Sequence, residues 1–219
     1  MQCGSSHATP SEAPGSVCRI ALTFDDGPSD WTGPILDLLA AYDARATFFV
    51  IGSHASDRSD VLRRIVAEGH EVGNHTWSHP RLASDCTDDR VHDELERTNE
   101  ALTSILGFAP TRFRAPQYDV DDRVCAIAAS LGMTHTRGDV RPPDWDPRCT
   151  AAFSATLILQ QAAPGVVVGQ HDGMPPETID SGADRQATVD AVAVALPRLR
   201  ERGFECVTAS ELLGAGAAP

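Results

Sequence analysis

Asp25 and Asp26 stand side by side in the run Thr23-Phe24-Asp25-Asp26-Gly27-Pro28, and about fifty residues later comes His75-Thr76-Trp77-Ser78-His79. Two imidazoles and one carboxylate are a recurrent ligand set for a catalytic Zn²⁺ that keeps one position open for water. The second carboxylate could then take a proton from that water. One acid for an ion and one for proton transfer points to hydrolysis. Each piece alone has a plainer reading. Asp-Asp-Gly-Pro is ordinary turn chemistry, and His75 and His79 share a face only on a helix, which Pro80 disfavours at His79. Their joint occurrence at strand ends in one α/β chain is what argues for a site.

The scaffold must bring these distant segments to one place. Short β-rich runs at Arg19–Phe24, Ala46–Ile51, Glu71–Asn74, Thr134–Arg137, Val166–Gln170 and Phe204–Val207 read as strands. Between them, Ile35–Tyr42, Val61–Glu68, Val91–Leu106, Arg123–Leu131 and Ala187–Arg202 carry apolar residues at helical spacing, and Gly69, Gly107, Gly132 and Gly203 stand where helices should stop. The alternation predicts right-handed βαβ units and parallel strands, in an open sheet or a barrel. No G-x-G-x-x-G or P-loop follows a strand. Asp25, Asp26, His75 and His171 fall instead at the carboxyl ends of strands, which favours a barrel-like mouth over a single crevice.

A chain of 219 residues suits one domain, long enough to bury roughly 70% of its unfolded surface. All 18 basic residues are Arg against 31 acids, and the formal charge of −13 argues against nucleic acid and against an anionic membrane surface. No apolar run approaches the roughly 20 residues of a membrane span. A neutral substrate such as a sugar fits this balance better than a polyanion. The six cysteines, Cys3, Cys18, Cys86, Cys125, Cys149 and Cys206, are scattered without a C-x-x-C. Their even number suits disulfides in an oxidising compartment, with buried reduced thiols as the alternative. Cys18 and Cys206, on the first and last expected strands, are one candidate pair. Residues 1–17 read as a disordered linker without the features of a signal peptide, and 214–219 as an unstructured tail. An exported protein whose signal has been removed is the expectation.

The quoted motifs make the chain resemble the polysaccharide deacetylase family, the NodB-homology domain of carbohydrate esterase family 4, over residues 18–213. T-F-D-D-G-P is complete at Thr23–Pro28 and H-[ST]-x-x-H at His75–His79. The resemblance implies a single-domain distorted (β/α) barrel with parallel strands. It makes Asp25 the general base and Asp26, His75 and His79 the ligands of one divalent ion, Zn²⁺ first, with Co²⁺ or another first-row metal also compatible. The third motif, R-x-P-aromatic, appears as Arg114-Ala115-Pro116-Gln117 with Tyr118 following. There Arg114 pairs with the base, and the Gln117 backbone N–H helps bind an oxyanion whatever its side chain. The fourth, D-x-x-D-W, appears as Arg141-Pro142-Pro143-Asp144-Trp145, with Arg141 for the first Asp. Asp144 would orient the catalytic histidine and Trp145 line the groove. The fifth, L-x-H, is Gly169-Gln170-His171. His171 is the expected acid, and the loss of Leu leaves the acetyl pocket wider or filled from elsewhere; Tyr118 is the residue placed to supply the apolar wall that the third motif's aromatic otherwise gives.

These features together imply a metal-dependent hydrolase removing N- or O-acetyl groups from a glycan: chito-oligosaccharide, peptidoglycan or acetylated xylan. It would act as a monomer, without nucleic acid and without membrane insertion. A cyclic-imide or other small-amide hydrolase on the same scaffold is the alternative, kept open by the altered third and fifth motifs. His7, His54, His70, His92 and His135 have no motif behind them. Trp77, between the two histidine ligands, is expected to pack beneath the site.

Overall fold

Ile20, Ala21, Leu22, Thr23 and Phe24 are all buried, so the first strand has no solvent face and belongs in the middle of a sheet covered on both sides. The structure is a computed structural model describing residues 18–178 and 184–214; the expected linker, and all of the expected tail but Gly214, lie outside the described residues. In chain order the elements are β1 (Cys18–Asp25), α1 (Thr32–Ala41), β2 (Ala46–Val50), α2 (Gly52–Ala55), α3 (Ser59–Ala67), β3 (Glu71–Asn74), α4 (Leu82–Asp85) and α5 (Asp88–Leu106). They continue with β4 (Arg112–Phe113), α6 (Asp122–Ser130), β5 (Thr134–His135), α7 (Ala151–Gln161), β6 (Val167–His171), α8 (Gln186–Glu201), β7 (Phe204–Cys206) and α9 (Ala209–Leu213).

The strands run in the order β5-β4-β3-β2-β1-β6, and every pairing is parallel. Five residues beyond β5, Val140 bridges Val168 of β6, so the curl meets itself there. The result is a half-barrel wrapped by helices, as the βα alternation predicts. β7 does not close it. That strand lies beside Cys18–Ile20, the first half of β1, while β2 lies beside the second half, Leu22–Asp25. Cys18, Cys86, Cys149 and Cys206 are free thiols, which corrects the expected Cys18–Cys206 disulfide. Cys18 is in register with Phe204 and Cys206 with Ile20, so the two cysteines stand offset along neighbouring strands rather than across a closure.

Apolar faces hold the layers together. Phe24 of β1 and Phe48 of β2 stack with ring centroids 5.2 Å apart, within a core that takes Leu36 and Leu39 from α1, Leu62 and Ile65 from α3, and Val192 and Leu196 from α8. A second cluster, with Val91, Leu95, Phe113, Val124 and Ala128, fixes α5 and α6 against β4. Thr87, Asp121, Thr150 and Thr208 cap α5, α6, α7 and α9 by accepting backbone N–H bonds.

The amino-terminal end of the half-barrel is closed by polar groups. Thr47 and Ser210 donate to the Glu71 carboxylate at 2.8 and 2.5 Å, and Arg112 Nε donates to Ser210 Oγ at 3.1 Å. The carboxyl-terminal end is left for loops.

Candidate active site

Strand register alone sets the proposed base and acid at one level. Asp25 is the last residue of β1 and is the partner of His171, the last residue of β6. Neighbouring strands are ~4.8 Å apart, so the two side chains leave the sheet beside each other. Phe49 of β2 is level with Asp25, and Asn74 of β3 is level with both Val50 and Phe113. The carboxyl ends of five strands thus share one rim.

Beyond the rim the backbone turns sharply. Asp26, Thr76 and His79 have φ of 74°, 68° and 62°, a left-handed conformation that costs energy for a non-glycine residue and needs fixing from outside. Asp26 is held from both sides. A Cβ on Gly173 would fall 2.2 Å from the Asp26 carbonyl oxygen, and the His54 ring donates to that same oxygen at 3.1 Å. The histidine loop is tied down more heavily. Asn74 accepts from Thr76 N–H at 2.8 Å, Thr76 Oγ1 accepts from His79 N–H at 3.0 Å, and the buried Glu94 of α5 accepts from Trp77 and Ser78 N–H, both at 2.8 Å.

This wiring brings Asp26, His75 and His79 together, with one donor atom of each within 4.8 Å of the others. His75 and His79 Nε2 each lie 3.3 Å from Asp26 Oδ1. His75 Nδ1 lies 2.8 Å from the Arg114 carbonyl and so carries the proton, which leaves Nε2 as a lone pair facing the carboxylate. Burial pushes the His79 pKa down, toward the neutral form a metal needs. Asp26 is held ionised, well below the usual carboxylate range: burial opposes the charge, but the contact with His75 and the other histidines nearby outweighs it. Asp26 Oδ1 is buried without a hydrogen-bond partner among the described residues. An orphaned anionic oxygen between two imidazole nitrogens fits a divalent cation, and Asp/His/His is the donor set for a catalytic one. Of the described residues, this is the only such cluster.

Asp25 stays outside that cluster. The fully buried Arg114 donates through Nη1 to Asp25 Oδ1 and to Thr23 Oγ1, both at 2.7 Å, and through Nε to the Thr136 carbonyl at 3.0 Å. On the other side, His171 Nδ1 lies 2.6 Å from Asp144 Oδ1, while Asp144 Oδ2 accepts from His171 N–H and Thr188 Oγ1, each at 2.9 Å. Burial works against an imidazolium here, yet the Asp144 carboxylate raises His171 to about 9. Gln117 sits in a 3-10 turn over Pro116–Tyr118 with φ 54°. Tyr118 lies with its ring 4.6 Å from the Arg141 guanidinium, and Trp145 is 62% exposed beside Asp144.

Several expectations resolve on this geometry. Trp77 packs beneath the site, its ring under the Arg97 guanidinium at 3.8 Å and against Gly52. His135 is half-buried against Phe113, and that burial pushes it down to about 3. His54 and Glu94, given no role on sequence, both support the ligand loops. Glu177 also went unread, though its Oε1 lies 3.5 Å from His79 Nδ1. The buried Asp172, next to His171, has a carboxyl that burial raises to about 7, with Thr32 Oγ1 donating to it at 2.5 Å. His54, Glu94 and Glu177 carry no local signature, because their partners come from other elements.

A parallel half-barrel with a three-ligand cation pocket, a carboxylate and a charged imidazole at one rim defines a metal-dependent hydrolase. A sequence model of the polysaccharide deacetylase family matches residues 13–136, and the chain belongs to that family. It is 40% identical over 191 residues to the chitooligosaccharide deacetylase of Bradyrhizobium sp. (strain ANU 289), an alignment covering 85% of this chain and 86% of that one. It is similar to the structure of the peptidoglycan deacetylase PdaC from Bacillus subtilis, with 32% identity and a TM-score of 0.79 over 91% of each chain. It is also similar to a family 4 acetyl xylan esterase from Clostridium thermocellum in complex with a cobalt ion, with 31% identity and a TM-score of 0.78 over 89% of this chain and 90% of that one.

Proposed function

We propose that this deacetylase removes N-acetyl groups from a chito-oligosaccharide-like glycan, using one divalent ion, Zn²⁺ in the first instance, held by Asp26, His75 and His79. The observation that carries the reading is the register pairing of Asp25 with His171 beside that ligand set. When bound, the ion supplies a Lewis acid that polarises the acyl carbonyl and makes a water molecule more acidic. Asp25, oriented by Arg114, accepts the proton of the attacking water. The Gln117 backbone N–H, without a partner among the described residues, donates to the oxygen on which charge develops. His171, held charged by Asp144, passes a proton to the departing amine. Trp145 presents an exposed indole face on which a sugar ring can stack. The identity to a chitooligosaccharide deacetylase favours an N-acetyl substrate over an acetyl ester or an imide.

The protein would act as a monomer outside the cytoplasm. That location rests on the substrate class.

Acetate release from N-acetylated chito-oligosaccharides by the metal-loaded protein tests the function. Asp25→Asn should keep the metal and lose at least ~100-fold in kcat. Turnover of cyclic imides without acetate release would overturn the reading, and an Asp25→Asn enzyme with near-normal kcat would remove Asp25 as base.

A further inference from the structure

Asp172, the residue after His171, is buried, and three of its groups reach across to the segment that carries Asp25 and Asp26. Its N–H donates to the Asp25 carbonyl at 3.1 Å, its carbonyl accepts from Ser29 Oγ, and its Oδ2 accepts from Thr32 Oγ1 at 2.5 Å. Thr32 Oγ1 in turn accepts from Ser29 N–H at 2.8 Å, so the turn after β1 closes on itself around that hydroxyl. The carboxyl occupies a space that a glycine leaves for it. A Cβ on Gly27 would fall 2.6 Å from its Oδ1 and 2.7 Å from its Cγ.

The contact is one of shape rather than charge. Oδ1 has no hydrogen-bond partner among the described residues, and burial raises the carboxyl to about 7 against the Thr32 hydrogen bond. What the side chain supplies is bulk and one acceptor, at the point where the two halves of the site meet. Gly27 follows Asp26, whose φ of 74° needs support from outside, and Asp172 follows His171. Removing the carboxyl would open a buried void beside Gly27 and release the Thr32 hydroxyl, and the surroundings would relax toward it. A shift at Gly27 carries the Asp26 carboxylate with it, and a shift at residue 172 carries the His171 ring. About 1 Å at either is enough to matter for chemistry that depends on alignment.

We infer that Asp172, wedged beside Gly27, is a positioning residue that sets the spacing between the metal carboxylate Asp26 and the acid His171. The inference rests on the deacetylase reading. The Asp172 side chain faces Gly27 and Thr32, so its effect passes through Asp26 and His171 rather than through the substrate.

The test reads Zn²⁺ affinity by chelator competition, and kcat on an N-acetyl chito-oligosaccharide and on para-nitrophenyl acetate with metal-loaded protein. Asp172→Ala should weaken Zn²⁺ binding roughly 10–100-fold. It should also lower the ratio of N-acetyl to aryl acetate turnover roughly tenfold or more, because the aryl leaving group needs little protonation from His171. Asp172→Asn, which keeps the size and the acceptor, should hold both readings within a few-fold of wild type. Gly27→Ala should cost Zn²⁺ affinity in wild type and roughly tenfold less in Asp172→Ala, where the carboxyl it would strike is gone. A role in stability alone would lower the unfolding temperature of Asp172→Ala and move neither reading, and that result would overturn the inference. So would an Asp172→Asn variant as impaired as Asp172→Ala, since size and acceptor would then not be what the site uses. Thr32→Val, which removes the hydroxyl at nearly constant size, should move the same two readings in the same direction and replaces Asp172→Ala if that variant does not fold. No acetate release from any substrate by wild type would overturn the deacetylase reading and the part of the inference that concerns His171, while the Zn²⁺ arm still decides whether Asp172 positions Asp26.

Discussion

An imidazole that donates a proton at neutral pH must be held charged above its ordinary value near ~6.5. His171 is held at about 9, against burial, by Asp144. Its charged form is lost as pH rises through that value, so His171 should set the alkaline limb of kcat/KM. The same sign governs stability: the pair stabilises the fold below the unfolded pKa, and that contribution disappears as pH rises through about 9. Asp144→Asn should move the limb to lower pH and cost roughly 100-fold on an N-acetyl substrate, with much less on an aryl acetate whose leaving group needs little protonation. An unmoved limb would show that another group sets the charge. Glu177 belongs to the same scale. Its carboxylate, 3.5 Å from His79 Nδ1, favours the tautomer that leaves Nε2 for the ion. Glu177→Gln should weaken metal binding roughly 10–100-fold in chelator competition. Equal affinities would rule the contact out. The residues that sequence identified are those in short runs with fixed spacing: Asp25, Asp26, His75, His79, Arg114, Asp144, His171. Glu94 and His54 reach the site from the helices α5 and α2, and Glu177 from the segment after β6, and nothing beside them marks their purpose.

Elements were legible where burial is one-sided or complete. Both long helices, α5 and α8, and the strands β1, β2, β3 and β6 lie where periodicity placed them, within a residue or so at most ends except the longer amino-terminal start of α5. β4 escaped because Arg112 and Phe113 are too short a run to show a period. α7 escaped for a different reason. Its sequence is apolar nearly all round, with Ser154 and Ala155 buried while Phe153 is 53% exposed, so no stripe separates the faces. What no periodicity could supply is the close approach of the β1 and β6 ends. A Cβ on Gly173 would meet not only the Asp26 oxygen but also Gly27 N at 2.7 Å, and both are backbone atoms that cannot swing away. Gly173→Ala should therefore displace Asp26. We expect a destabilisation of ~1–3 kcal/mol and metal affinity reduced at least tenfold. Calorimetric unfolding and metal titration on the same variant check both, and an unchanged affinity would mean that Asp26 is positioned by His54 alone.

For the whole molecule, the chemistry occupies one end of the half-barrel and the Glu71 network seals the other. The exposed ion pairs, such as Arg58–Asp30 and Arg64–Asp37, each contribute little to stability, so the fold depends on its two apolar clusters. The bridge at Val140 has a consequence for motion. Asp139 and Val140 N–H donate to the Val167 carbonyl at 2.8 and 3.2 Å, and Gly169 N–H donates to the Val140 carbonyl at 2.8 Å. This short seam joins β6, which ends in His171, to the segment that leads on to Asp144. Its few bonds should part long before the continuous ladder between β1 and β2 does. In deuterium exchange the amides of Asp139, Val140 and Gly169 should therefore label well ahead of those in Leu22–Phe24 and Thr47–Phe49, and uniform protection would mean that the seam opens only with the whole fold. If it parts first, the acid and the carboxylate that charges it lie on opposite lips of the one slit through which this half-barrel breathes.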